Sequence, residues 1–432
     1  MLKQIGLIFS VLIIVSGCYA QNKNDVLLMA QEDLEKPEIV ITNEYEMYRL
    51  RNISKYKNIN IINISNVDSV ELNDEILKHK QLKAIYIGNV NSINITNNIK
   101  DLKKLENITI GDSNIDKIPQ SVFNCTSLQL LSVFNCKINE IPDDIGELQN
   151  LTLLELHNNQ ISKISSKISN LKKLKILIFN KNRIMTLPKE LGECIDLEKL
   201  FFKENFIEEV PESLSNLVNL KEIHLTKNKI SRVHFRFEKL SKLSILELSN
   251  NQISELPSDI GLAESLIKLD MSNNYLKEIP KSFYNLVGLK FCNFINNELT
   301  EFDEGVTKLI NLEMIFLGQN KIKTIPNNLY LLENMHSFSI PYNQLEELPT
   351  TFSKIKSLKS LDISGNKFKE FPEVITKLPE LVFLEINDIG LKDIPASIKK
   401  MKKLSMLSIE GNDIPIKKIQ NFIEDVDLFV KY

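Results

Sequence analysis

The side chains able to do chemistry are few and far apart. The chain holds five His and five Cys in 432 residues. No HExxH, GxSxG or phosphate-loop sequence occurs, and no CxxC pair offers two thiolates to zinc. Glu247 and Asp270 could in principle serve as an acid and a base, but general acid–base work needs both groups around one enclosed substrate. His157 and His224 fall three 23-residue units apart, too far to share a metal. These residues predict no enzyme, no metal site and no cofactor. Net charge is −3, from 53 basic and 56 acidic residues, which gives no electrostatic reason to expect nucleic acid.

Cys18 is the one nucleophile with a context of its own. It ends "MLKQIGLIFSVLIIVSGC", in which Lys3 precedes an apolar run from Ile5 to Val15. That run is shorter than the roughly 20 residues a membrane-spanning helix needs. A basic start, a short apolar core and small residues after it make a secretory signal. Val15-Ser16-Gly17-Cys18 resembles the lipobox of bacterial lipoproteins. The resemblance implies acylation of the Cys18 thiol and a lipid-anchored protein of the bacterial cell envelope, at the outer membrane or surface. The rival reading is ordinary cleavage after Ala20, which would leave the protein periplasmic or secreted. No second anchor is expected, since nothing after residue 20 is long and apolar enough to be one.

What must position everything else is a repeat. Taking Leu243 as position zero, Leu246 stands at +3, Leu248 at +5, Asn251 at +8, Ile253 at +10, Leu256 at +13, Pro257 at +14 and Ile260 at +17. Steps of 23 carry the same frame without insertion from Leu105 through Leu404. Leu82 keeps it, with weaker echoes at Ile62/Ile64 and Ile39/Ile41. Apolar residues at +3 and +5 alternate along a short strand and point to one side, so +2, +4 and +6 point to the other. Asn at +8 turns the chain and can pair backbone groups of neighbouring turns. That series runs from Asn159 to Asn366 and resumes at Asn412. Cys136 fills the slot in one unit and Ile389 should interrupt it in another. Pro at +14 suits the first turn of a helix, where no N–H is needed. Ser165, His234 and Asp303 replace it and share no evident chemistry. Cys125 and Cys194 fall at +20 and Cys292 at +3, where a thiol is a small buried hydrophobe.

This pattern resembles the leucine-rich repeat, in a 23-residue form similar to the Ras-group-like subclass. The resemblance implies an α/β solenoid, a horseshoe with a parallel concave β-sheet and short convex helices or turns. The organisation read from the sequence is a lipoprotein-type signal over 1–18, a tether and degenerate N-terminal cap over 19–58, repeats over 59–412 and a C-terminal capping helix over 413–432. Ile416, Ile419 and Phe422 give that helix its apolar face.

The resemblance implies a binding module without naming a partner, and the concave face is where a partner is expected. Its outward positions carry two apolar groups: Leu130, Leu153, Ile176, Ile178 and Phe201, with Phe134 nearby, and Phe291, Ile295, Met314 and Phe316. The register predicts all of these to be exposed, with Phe202 turned inward beside Phe201. Glu222, Glu247, Asp270, Asp362 and Glu385 outnumber Lys199 and Lys268 on the same face. An acidic groove with apolar anchors suits a protein or peptide ligand of some basic character. The alternatives are an envelope scaffold working through its edges, a glycan or cell-wall binder, or an intracellular signalling adaptor if 1–18 is not a signal. Asn250, at +7, should be a tolerant surface position beside the buried Asn251.

Overall fold

The strands of the main sheet run four or five residues up to Leu130–Phe134 and three residues from Leu153–Glu155 onward, where one inward residue nearly defines each. In Ile176–Ile178, Leu177 is fully buried while its two neighbours are half-buried. The computed structural model describes residues 36–432; the signal segment, Cys18 and Ala20 lie outside the described residues. Eighteen such strands form one parallel sheet, from Glu38–Ile41 to Phe429–Lys431. Neighbouring strands pair 23 residues apart, as Glu38 with Ile61, Leu200 with Ile223 and Met406 with Phe429. The sheet thus extends past residues 59–412 at both ends, because a strand needs only inward residues such as Ile39, Ile41 and Val430. Every Leu at position zero from Leu105 to Leu381 is buried to 1% exposure or less, as is the Met335 that takes the slot once. The core is therefore one continuous apolar column under the sheet.

The convex side is made of single 3-10 turns, mostly five residues long, such as Lys189–Glu193 and Glu212–Asn216. Pro caps eight of them, at 119, 142, 188, 211, 280, 349, 372 and 395. Two of the three Pro replacements do share a chemistry, contrary to the sequence reading. Ser165 Oγ accepts the N–H of Lys167 at 3.0 Å and Asp303 Oδ1 accepts that of Gly305 at 2.6 Å, so each caps its turn with a side-chain oxygen. At His234 the turn starts later, at Phe237, after a short strand, Arg232–Val233, paired with Glu209–Val210.

The Asn ladder is continuous from Asn159 to Asn366. Asn251 is typical: its Nδ2 donates to the carbonyls of Leu225 and Leu248, and its Oδ1 accepts the N–H of Ile230. Ser113 occupies the same slot one repeat before Cys136, its hydroxyl donating to Gly111 O and accepting from Val90 N. At the predicted gap, Ile389 is buried without an amide, and the following Asn412 takes the N–H groups of both Ile389 and Leu391.

Position +7 is not a neutral surface position. Asn135, Asn158, Lys181, Glu204, Lys227 and Asn250 all hold φ between 52° and 57°. This left-handed conformation costs most residues about 1–2 kcal/mol and is tolerated best by Gly, Asn and Asp. Asn250 is therefore selected by its backbone, which the sequence reading missed.

The two ends of the described residues are built differently. At the N-terminal end, Met47, Leu50 and Ile53 bury one side of the turns between Glu44 and Lys55. At the other end the helix Ile416–Glu424 buries Ile419 and Phe422. Ile416, placed by its spacing on the apolar face, stays 55% exposed in the first turn. The strand Phe429–Lys431 then pairs with Met406–Ser408 and forms the last sheet edge.

Candidate binding surface

The strands place their +2 and +4 side chains in rows across the sheet. Register puts Leu130 beside Leu153, Leu153 beside Ile176 and Ile178 beside Phe201. The second group is likewise contiguous: Phe291 neighbours Met314, and the Phe291 and Phe316 rings meet at 5.5 Å between centroids. Both groups lie on one face. The expectation of full exposure fails, since all ten residues are half-buried. Side chains 23 residues apart stand one strand spacing apart and cover one another. Phe134 shows how far this goes. One ring face lies over Gly111, where a Cβ would come within 2.5 Å of the ring, and the other stacks on His157 at 5.0 Å. Phe201 stacks on His224 at 4.5 Å, with the planes 11° apart.

Between the apolar groups lies an ion-pair network. Lys199 reaches Glu222 at 2.6 Å, and Glu222 contacts His224 Nε2 at 3.2 Å. His224 Nδ1 sits 2.7 Å from Glu247, which also holds Lys203 and Lys268 at 2.7 Å each. The hydrogen bond from His224 pulls Glu222 down to about 2 against the cost of burial, with Lys199 assisting. His224 again, with Lys203 and Lys268, holds Glu247 far below the usual carboxylate range. Burial pulls His224 down, but its hydrogen bonds to Glu222 and Glu247 outweigh this and raise it. The ring therefore keeps its second proton to higher pH than a free imidazole, and when charged both nitrogens donate. Glu222 and Glu247 do not make the groove acidic here, because Lys203, at +6, adds a cation that the sequence reading left out. Glu247 and Asp270 are not poised for acid–base chemistry either: cations occupy Glu247, and Asp270 Oδ1 accepts from Ser272 N and Oγ.

The acidic end of the face is the C-terminal one. Burial pushes Glu385 up, aided by the charges of Asp362 and Glu410, with Lys431 opposing. Two apolar features escaped the sequence reading. Phe383, Met406 and Phe429 form a third row at +2, with Phe383 46% exposed. Ile195, Val218, Val287 and Ile310 recur at +21 and lie exposed along one flank. Both were readable from the same register. Burial holds the thiols in the protonated form: it raises Cys125 and Cys194 to about 12 and Cys136 to about 11.

An open depression of about 340 Å³ marks the first apolar group, lined by Glu155, His157, Ile178, Asn180 and Phe201. Glu155 takes Ser132 Oγ at 2.7 Å and His157 Nδ1 at 3.0 Å. Burial would raise its carboxyl, but these two hydrogen bonds prevail and lower it, so it stands ionised beside Ile178. Leu130, Leu153 and Ile176 form the neighbouring +2 row on the same face and are not among the residues lining it. A surface with an aromatic ring, an aliphatic side chain and one fixed charge can hold a side chain of a partner.

Comparison with known proteins agrees with this architecture. A leucine-rich repeat region model matches residues 126–236, and a Leucine Rich Repeat model matches 242–262, 265–286 and 357–378. No curated protein matches the sequence. Among solved structures, an LRR protein of Leptospira interrogans superimposes with TM-score 0.74 at 24% identity, covering 96% of this chain and all of that one (100%). The plant peptide hormone receptor RGFR1, in complex with RGF2, gives TM-score 0.67 at 24% identity over 84% of this chain and 64% of that receptor. An internalin of Listeria monocytogenes gives 0.53 at 18% identity, over 77% and 82% respectively. At these identities the likeness speaks to fold.

Proposed function

We propose that this chain, a leucine-rich-repeat protein, is a non-enzymatic binding module that recognises a protein or peptide partner on its concave sheet face. The carrying observation is the paired rows Leu153–Ile176 and Ile178–Phe201 on one face, the latter two lining the depression, with a second apolar group at Phe291, Met314 and Phe316. Contiguous apolar area on a solvent face commonly marks an interface. The plant receptor of the same fold, solved with a peptide hormone, supports the reading by analogy of architecture. The lipobox-like sequence ending in Cys18 supports an envelope lipoprotein held by its N-terminus. The exposed pairs Ile195/Val218 and Val287/Ile310, separated by Ser241 and Glu264 in the same slot, favour a second reading, a scaffold that docks through its flank.

Site-specific photocrosslinking tests the choice. A benzophenone amino acid replacing Leu153 should give a discrete adduct in native membranes, whereas one replacing the convex Lys189 should not. Adducts from Val287 alone would transfer the function to the flank. Cys18→Ser, followed by membrane fractionation and mass spectrometry of the mature N-terminus, tests the anchor. An unmodified Gln21 terminus in the wild type would replace lipidation by ordinary secretion.

A further inference from the structure

We infer that the depression over Ile178 is a receptor for a cationic side chain of the partner, arginine in preference to lysine. The inference rests on the concave-face reading and gives that face a specific ligand chemistry. Ile178 lies between Glu155 and Phe201 in adjacent, paired positions of three successive strands. Glu155 and Phe201 are thus two strand spacings apart, roughly 10 Å. The shorter side chain between them leaves a slot with a carboxylate at one wall and a ring at the other.

Three features fit a flat cation. First, Phe201 has one face stacked on His224, which belongs to the following repeat. Its other side borders the depression. An aromatic face attracts a cation, and guanidinium stacks on it where ammonium cannot. Second, Glu155 is held by Ser132 and His157, yet each carboxylate oxygen accepts only one of these bonds. Lone pairs remain, on a group already fixed in place. Third, the two lysines flanking Phe201 on its own strand and the turn after it are engaged elsewhere. Lys199 and Lys203 are drawn to Glu222 and Glu247 in later repeats, at 2.6 and 2.7 Å. Asn180, on the rim, is anchored by the backbone N–H of Lys203 to its Oδ1 at 2.7 Å, which leaves its amide N–H groups for a partner's backbone carbonyl.

The probes are the N-acetyl N-methylamides of arginine, lysine and glutamate, titrated into the full-length protein and followed by saturation-transfer NMR. The arginine compound should bind best and the glutamate compound least. Glu155→Gln should weaken the arginine compound by about tenfold, as expected for losing a charge-assisted contact. Phe201→Leu should reduce the preference for arginine over lysine and leave the fold in place. Equal binding of all three compounds, preference for glutamate, or an unchanged affinity in Glu155→Gln overturns the assignment. The parent reading is judged separately. If the arginine compound fails but Phe201→Ala still weakens the partner crosslinked at position 153, only the slot chemistry falls. If neither Glu155→Gln nor Phe201→Ala affects that partner, the concave-face reading falls too.

Discussion

Replacing Asn251 by Ala removes one rung of the amide ladder, and the structure shows which backbone group bears the loss. Leu225 O accepts from Asn251 at 3.0 Å but also from Asn228 at 2.9 Å. Leu248 O accepts from Asn251 at 2.9 Å but also from Asn274 at 3.0 Å. Ser249 O keeps the N–H of Lys227 at 2.9 Å. The N–H of Ile230, 3.0 Å from Asn251 Oδ1, has no such second partner, and Ile230 is fully buried. A stranded buried donor costs about 1–3 kcal/mol, so Asn251→Ala should destabilise by about that amount. The neighbour is the control, but not through Ala. Asn250→Ala incurs about 1–2 kcal/mol for a Cβ-bearing residue in the left-handed region, whereas Asn250→Gly should stay within about 0.5 kcal/mol. Urea denaturation gives the totals. Because repeat arrays can open locally, hydrogen exchange of the segment around Ile230 should be measured alongside. Asn251→Ala that is no more destabilising than Asn250→Gly, with the Ile230 amide still protected, would refute the ladder argument.

Other outcomes follow from the same geometry. His224 has its folded pKa raised, so its stabilising contribution is full below its unfolded value and fades as pH rises through the folded one. Glu222 and Glu247, both lowered, contribute above the ordinary carboxylate range and lose this only in strong acid. The denaturation midpoint should therefore fall more between pH 5.5 and 8.5 in the wild type than in His224→Gln, and parallel profiles would count against the network. Gly365 holds φ +62°, and a Cβ there would run into the Tyr342 ring, whose hydroxyl donates to Asp388 at 2.9 Å. Gly365→Ala should cost about 1–2 kcal/mol from the backbone alone. Combining it with Tyr342→Ala should cost less than the sum of the two singles, and strict additivity would show that the ring does not press on this position.

The fold was legible because each repeat states its own register. Inward Leu and Ile at +3 and +5, the Asn slot and the Pro cap are demands of one strand, one turn and one convex turn, repeated until no other frame fits. Phe201 and Phe202 fell on their correct faces for that reason. What the period could not convey was the contact between repeats. Lys203 neutralises Glu247 from two repeats away, and Phe134 is covered by His157 because Gly111 yields space on its other side. Such contacts depend on rotamers across strands, so half-burial of the apolar groups was not visible in any one repeat. The backbone demand at +7 was hidden for another reason. Lys, Glu, Gln and Tyr adopt it alongside Asn, so residue type alone masked a conserved conformation.

The most direct test compares two adjacent aromatics. Phe202 is fully buried and stacks on Phe179 at 5.2 Å, whereas Phe201 is half-buried on the concave face. Phe202→Ala should cost about 3–5 kcal/mol of stability. Phe201→Ala should cost about 1 kcal/mol, from the lost stacking on His224. It should weaken binding of the partner captured at position 153 roughly 30-fold, the effect of removing an interface anchor. Affinity and unfolding measured on the same two proteins give the answer. A folded Phe201→Ala with undiminished affinity would contradict the concave-face account.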